Sequence, residues 1–304
     1  MAGTSYADLS GEVPFVGASM DQLHEIVVGT QARIVHGCGF NAVPSDIGTY
    51  LLHEQVQRDG QGSLTETTLV LEALKGGFSG GNLDSNRAQH RVLKADPSLR
   101  SAIADPSVLS TVPRKTTAAD VDPSAPFHDR LTKRWLATAL GGPFNSRLVR
   151  RSASLRSGDY GPEFHYREGM AAGRSFLAPA QAVLLTFGFA TVTFALTSRV
   201  VAPILDPLLP SGPGPSEKIR RNGRFRVRIY SRTSTGAMYV TTVAADRDPG
   251  YAATSVMLGE SVLSLATDPL PPRGGVLTPP VPWATICQND SSPRDSREMS
   301  VERI

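Results

Sequence analysis

The stretch Ile34-Val35-His36-Gly37-Cys38-Gly39-Phe40-Asn41-Ala42-Val43-Pro44-Ser45-Asp46 constrains the fold more than any other part of the chain. A short apolar strand runs into a Gly-x-Gly turn, and Pro44-Ser45-Asp46 then opens a helix for which Ser45 is the predicted N-cap. Strand, tight turn and helix make the βα unit of α/β proteins, which bind ligands outside the carboxyl ends of their strands. Gly37, Gly39 and Ala42 also fit the G-x-G-x-x-G/A spacing of a dinucleotide loop. A first-strand fingerprint further needs an acidic residue about 20 positions on, at the end of a second strand. Glu54 and Asp59 instead fall in a helix end and a turn. Three readings stay open: a pyrophosphate loop, a strand-end loop touching another part of a cofactor, and a structural turn. Few residues precede this unit, and Tyr6-Ala7-Asp8-Leu9-Ser10-Gly11-Glu12 already reads as the interior of a fold, so the chain is expected to begin within a domain.

Composition narrows the function classes. With 304 residues, 40% of them hydrophobic and 19% charged, there is material for a sizeable core and for two domains. A net charge of +3 does not imply nucleic acid. Arg224, Arg226 and Arg228 come without the aromatic set that stacks bases, so they read as a solvated sheet face, with grip on an acidic ligand as the alternative. Cys38 and Cys287 build neither a disulfide framework nor a zinc spacing, and the six histidines lack paired ligand spacing, so no metal site is expected. No basic segment followed by an apolar run marks the N-terminus, and a cytoplasmic setting is expected.

Along the chain, Leu23, Ile26 and Val27 form the apolar face of a short helix, Arg33 to His36 a strand, and Tyr50, Leu51 and Val56 the inner face of the helix from Ser45. Asp59-Gly60-Gln61-Gly62 is a turn and the expected domain boundary. Residues 64–74 are β-rich, 83–93 form a polar helix, 95–126 are an irregular excursion, and Phe164 and Tyr166 lie on a short strand. Residues 180–205 are the most apolar tract, uncharged from Leu177 to Ser198, near the roughly 20 residues that span a bilayer. Thr186, Gly188, Thr191 and Thr193 dilute it, so a buried or surface-docked helix competes with interfacial contact with lipid and with a span. A Pro/Gly hinge at 207–215 precedes Arg224 to Tyr230, which alternates strictly and pairs with Met238 to Ala245 across Thr233-Ser234-Thr235-Gly236. Asp248-Pro249-Gly250-Tyr251 leads into a helix, and the polar residues from about Gln288 read as a disordered tail.

Gly77-Phe78-Ser79-Gly80-Gly81 matches the G-x-S-x-G of a hydrolase elbow between strand and helix. His128 and His165, with Asp120, Asp122, Asp129 and Asp159, supply candidate partners for Ser79. The preceding strand is not the apolar run of a buried parallel strand, since Thr65, Thr67, Thr68 and Glu72 interrupt it. A Gly-rich loop that admits a substrate closely is the competing reading. Arg167-Glu168, at the end of a strand, orient substrate or pair with each other.

Taken together, Tyr6 to Glu12, Ala32 to Asp46 and Lys75 to Gly81 resemble the saccharopine-dehydrogenase-like oxidoreductases, and within them the bacterial trans-acting enoyl reductases. Pro210 to Glu217, Asp248 to Tyr251 and Leu258 to Ser261 extend the resemblance across roughly residues 3–279. It implies a Rossmann domain that binds NAD(P)H and an α/β domain covering the substrate. It also implies reduction of an acyl or enoyl lipid intermediate in trans with a polyketide synthase. The family opens with a G-x-x-G-x-x-G loop that this sequence does not carry, so residues 1–57 resemble the last part of the nucleotide domain, an N-terminally truncated form. The resulting expectation is an α/β fold: a partial Rossmann segment (1–58), a substrate domain with a mixed or antiparallel sheet (59–279) and a divergent, disordered tail (280–304). Gly37, Cys38, Gly39 and Phe40 are the expected cofactor residues. Ser45, Asp46, Lys75, Gly77, Ser79, Gly80 and Arg167 are the expected lining of the substrate cleft, with peripheral membrane contact through 180–205. No residue receives a catalytic role. The alternatives are a non-catalytic lipid- or partner-binding form, inactive for want of the dinucleotide motif, and a serine hydrolase using Ser79.

Overall fold

A computed structural model describes residues 3–76, 80–112, 116–139, 141–198, 201, 214–282 and 297–304. The strands are β1 (Tyr6–Ala7), β2 (Arg33–Val35), β3 (Leu64–Lys75), β4 (Phe127–Asp129), β5 (Arg134–Thr138), β6 (His165–Ala171), β7 (Arg224–Thr233), β8 (Met238–Ala245), β9 (Gly275–Leu277) and β10 (Arg297–Arg303). The helices that frame these strands include α1 (Val13–Thr30), α2 (Val43–Arg58), α3 (Gly80–Ala95), α4 (Ser98–Ala104), α5 (Gly142–Leu155) and α6 (Ala178–Thr197), and a short helix spans Glu217–Arg221. A further helix, Thr254–Thr267, is entered through a π turn at Pro249–Ala253. The strands form two sheets. One is parallel and three-stranded, in the order β1-β2-β9; the other is seven-stranded, in the order β10-β8-β7-β3-β6-β5-β4. In the larger sheet only β3 and β6 run parallel, so the fold is α/β with a mixed sheet, as the sequence implies.

β3 is the central strand, and its threonines have partners. The Thr67 hydroxyl lies 2.7 Å from that of Ser231, and Thr68 donates to Asp129 Oδ1 at 3.0 Å. Polar residues inside a buried strand are tolerated when each is hydrogen-bonded. α2 and α5 cover one face, packing Tyr50, Leu52, Val56, Val149 and Ala153 on Leu69, Tyr166, Val227, Ile229 and Val243. The alternation read in β7 is borne out: Phe225, Val227 and Ile229 are buried and the arginines between them are not.

Four readings are corrected. Ser45 is not an N-cap: α2 starts at Val43, with Ala42 as the flanking residue and Pro44 in the first turn. That frees the Ser45 hydroxyl for a tertiary partner. α1 is an 18-residue helix that buries Val13, Val16 and Val27, while Leu23 and Ile26 stay exposed. The end of the expected disordered tail is ordered. Arg297–Arg303 pair along the whole of β8, and the alternate residue Val301 packs on the core, which offsets the entropy lost in ordering a polar segment. Phe164 lies just before β6 rather than on it.

β9 pairs with β2 across the length of the chain, and α5 holds that pairing in place. Arg151 of α5 is fully buried and donates to Leu109 O and to Val276 O, while the Val276 N–H donates to His24 Nδ1 at 3.2 Å. Both groups of Val276 on the outer edge of β9 are thus satisfied by side chains where a further strand would otherwise be needed. Burial lowers the Arg151 pKa to about 10, with Arg273 adding to the effect, and the residue still carries its charge at neutral pH. Arg151→Leu removes both donors and leaves two buried carbonyls unpaired. It is expected to lower the unfolding free energy by about 3 kcal/mol. A urea titration reads this as a lower midpoint at unchanged slope, with exposed Arg58→Leu as the silent control.

Candidate active site

The carboxyl ends of β1 and β2 lie side by side and lead into two interlocked loops. Cys38 N–H donates to Asp8 O at 2.7 Å. The Asp8 carboxylate accepts from Ser10 N–H at 3.0 Å and Ser10 Oγ at 2.8 Å, and sits 2.8 Å from His36 Nδ1. His36 Nε2 is 2.9 Å from Ser19 Oγ, and the edges of Tyr6 and Phe15 flank the imidazole. Burial would raise the Asp8 pKa, but the hydrogen bonds and charge from His36, with those of Ser10, hold it below the ordinary carboxylate range. Ser19, His36 and Asp8 have the connectivity of a nucleophile, base and orienting acid. Ser19 lies inside α1, where neighbouring N–H groups are engaged in the helix ladder, so the helix backbone supplies it with no oxyanion donors. The relay fixes His36 in place ahead of the Gly turn.

The Gly37 to Phe40 turn is shaped by internal packing. Gly37 has φ +77°, and a Cβ there would lie 3.0 Å from Leu148; at Gly39 it would lie 2.8 Å from Leu9. Cys38 is buried, and burial pushes its thiol up to about 12, which leaves it inert. Phe40 packs its ring 4.7 Å from that of Phe225 and donates its N–H to Thr254 Oγ1 at 3.2 Å. The next residue, Asn41, is exposed. Gly11 and Gly141 flank its amide: a Cβ at either would come within 3.0 and 2.5 Å of Asn41 Nδ2 and Oδ1.

Behind Asn41 the N-termini of α2 and α5 converge on one carboxyl group. Glu168 Oε1 accepts from Ser45 Oγ at 2.7 Å and from Tyr166 OH at 2.7 Å, and Oε2 accepts from Asn145 Nδ2 at 3.0 Å. Burial raises Glu168 to about 7, against the pull of these three hydrogen bonds. Asn145 Oδ1 is buried without a hydrogen bond. One residue along α2, Asp46 accepts from Ser152 Oγ at 2.8 Å, and the Thr278 hydroxyl lies 2.7 Å from the same Ser152 oxygen. Asp46 is fully buried, and burial raises its pKa well above the usual range despite the Ser152 bond. Two carboxyl groups whose protonated forms burial favours thus lie behind the Gly37–Asn41 turn, one on β6 and one on α2. Perturbed carboxyl groups of this kind cluster at functional sites, which makes this a candidate site.

Of the residues predicted from sequence, Ser45 and Asp46 reach this site. Arg167 does not: it projects to the other face of β6, bonding Asp129 Oδ1 at 2.7 Å and Thr68 Oγ1 at 3.3 Å over the Phe127 ring. Arg167 and Glu168 therefore do not pair, because successive strand residues face opposite ways. That parity is visible in the sequence and is the signal that separates them. Asn145 and Tyr166 carry no comparable signal. Lys75 ends β3 on the surface and Gly80 begins α3; Gly77 and Ser79 lie outside the described residues. The candidate partners of Ser79 are held locally: His165 by Asp120, Asp122 by Arg147, Asp129 by Arg167, and His128 against Trp135.

No protein-family model matches the chain. Among curated proteins, one from Mycobacterium tuberculosis H37Rv that carries the name trans-acting enoyl reductase provisionally is 40% identical over 293 residues, covering 91% of this chain and 69% of the relative. The trans-acting enoyl reductase of Mycobacterium ulcerans is 38% identical over 296 residues at the same coverage, and that of Mycobacterium bovis BCG 36% over 292. The chain belongs to the trans-acting enoyl reductase family. In this member of the family, the buried carboxyl groups predict how stability depends on pH. A folded pKa raised above the unfolded value gives stability that is fully present below about 4.5 and is lost as pH rises through about 7. Glu168→Gln is expected to flatten that decline, worth on the order of 3 kcal/mol by pH 8. Urea titrations of both proteins between pH 4 and 8 check it, and parallel curves would refute the assignment.

Proposed function

We propose that this chain is an enoyl reductase that saturates the carbon–carbon double bond of an acyl intermediate in lipid or polyketide assembly. In this reading a synthase presents the intermediate in trans and a reduced nicotinamide is the cofactor. Family membership supports the reaction class. The observation that carries the site is the convergence of two helix N-termini and Asn41, beyond the end of β2, on the carboxyl of raised pKa that β6 presents. We read β1-β2-β9 as strands of a Rossmann-type sheet and the seven-stranded sheet as the substrate-bearing part, in line with the resemblance to saccharopine-dehydrogenase-like proteins.

The residues present fit the amide end of a nicotinamide. An exposed Asn41 stands between two glycines that leave room for it, beside the unpaired acceptor Asn145 Oδ1. When bound, a reduced nicotinamide supplies the hydride that an enoyl reduction requires. The chain's own residues account for the rest. Reduction at the carbon β to the carbonyl places negative charge on the carbonyl oxygen, for which the Asn41 amide is the donor, with the positive dipole ends of α2 and α5 on the same side. The α carbon then needs a proton. Glu168, near its midpoint at neutral pH, holds one because of its burial, and Ser45, Tyr166 and Asn145 fix the position of its carboxyl group.

Titration of the purified chain with NADPH and NADH, followed by cofactor fluorescence and by oxidation in the presence of an enoyl thioester, tests this reading. Saturable binding with turnover is expected. Glu168→Gln is expected to lower kcat by about 100-fold and to remove the limb of the pH profile near 7, with cofactor affinity unchanged. A folded chain that binds neither nucleotide, or a Glu168→Gln variant with full activity, refutes it.

A further inference from the structure

α6 is a 20-residue helix, about 30 Å long, with no charged residue and a mean hydropathy of 1.4 over Ala178–Ala195. Its inner face is fixed to the large sheet. Ala182, Leu185 and Phe189 pack with Ala137 and Met170, and Thr186 Oγ1 accepts from Thr138 N–H at 3.2 Å. Its outer face is as apolar as its inner one. Val183, Leu184, Phe187, Val192 and Phe194 are exposed, Leu184 by 73% and Phe194 by 70%, and Phe176 on the approach to the helix by 89%. From Ala190 to Phe194 every residue is exposed, on all sides of the helix. A helix apolar all round needs an apolar phase around it, and an exposed stripe of this size marks an interaction site.

We propose that α6 lies flat in the interface of an anionic lipid bilayer, with Leu184, Phe187 and Phe194 in the acyl region. Three observations choose lipid over the other occupants. The stripe offers little directed bonding that would fix a protein partner in register: Thr191, its central hydroxyl, is turned back onto Phe187 O at 2.8 Å. The nearest charged residues in sequence on either side are both cations, Arg174 and Arg199, in a chain of net charge +3, which complements anionic headgroups. The inner face is sealed to β5 and β6, so the helix cannot cross the membrane without stripping Ala182, Leu185 and Phe189 from the core. This surface belongs to the seven-stranded sheet and is independent of the reading of the active site.

The test is flotation of the full chain with vesicles of phosphatidylcholine, alone and mixed with phosphatidylglycerol. Binding is expected, stronger on the anionic vesicles, weakened by salt and released by alkaline carbonate. The double variant Leu184→Glu, Phe194→Glu replaces solvent-facing side chains only, so its circular dichroism and melting should match the parent, while vesicle partition should fall at least about tenfold. Arg174→Glu should reduce binding to anionic vesicles and leave binding to neutral ones unchanged. The proposal is overturned if the folded parent does not float, if binding resists alkaline extraction as a spanning helix would, or if the parent is a dimer in solution that the double variant dissociates, since the stripe is then covered by a second copy.

Discussion

Two adjacent arginines on one buried helix hold the two sheets in register. Arg151 reaches Val276 on β9 and Leu109 before the excursion ends; Arg150 turns the other way, its Nη2 reaching Tyr166 O on β6 at 2.8 Å and Asp120 O at 2.9 Å. Arg147, one turn earlier, pairs with Asp122 at 2.6 Å. A helix with three buried guanidinium groups is unfavourable in isolation, because each charge leaves water. That penalty is offset by the backbone carbonyls and the Asp122 carboxylate that accept from these groups, so the helix is stable only where those acceptors converge. The site inherits its geometry from this arrangement, since the same α5 brings Asn145 to Glu168 and packs Leu148 under Gly37.

The electrostatics of the site follow from the same packing. Glu168 and Asp46 are surrounded by hydroxyl and amide groups, with no basic side chain hydrogen-bonded to either among the described residues. Helix N-termini and neutral donors lower the penalty of a buried carboxylate without abolishing it, so the protonated form stays accessible near neutral pH. A lysine or arginine in place of Asn145 would pull the carboxyl down and remove the proton that the proposed chemistry requires. On the other face of the sheet the opposite choice is made. Glu72 is paired with Arg134 and Arg228, and the buried Asp129 with Arg167, so each of these carboxylates has a basic partner.

The strand–turn–helix unit at Ile34 to Asp46, the hairpin of β7 and β8, the long β3 and the apolar α6 are legible in the sequence because each rests on local periodicity or turn chemistry. The functional emphasis shifts by a few residues for a physical reason. Gly37 and Gly39 look like a ligand cradle in sequence, yet their missing side chains make room for Leu148 and Leu9, and the exposed group is Asn41. Ser45 has the pattern of a cap and is instead a donor to Glu168, because the helix begins at Val43, three residues earlier than the cap pattern implies. Glu168 is visible as half of a charged dipeptide, and only strand parity separates it from Arg167.

By itself the sequence determined the α/β class, the alternation that turns the β7 arginines outward and the uncharged length of α6, because these depend on residue spacing along one segment. Tertiary structure alone decided that β9 returns to β2, that a polar terminal segment becomes β10 at the edge of β8, and that Ser45, Asn145, Tyr166 and Glu168 meet. Those contacts join residues far apart in the chain. Their partners are chosen by which buried carbonyls and carboxyls remain unsatisfied once the sheets have packed, and that is a property of the assembled fold.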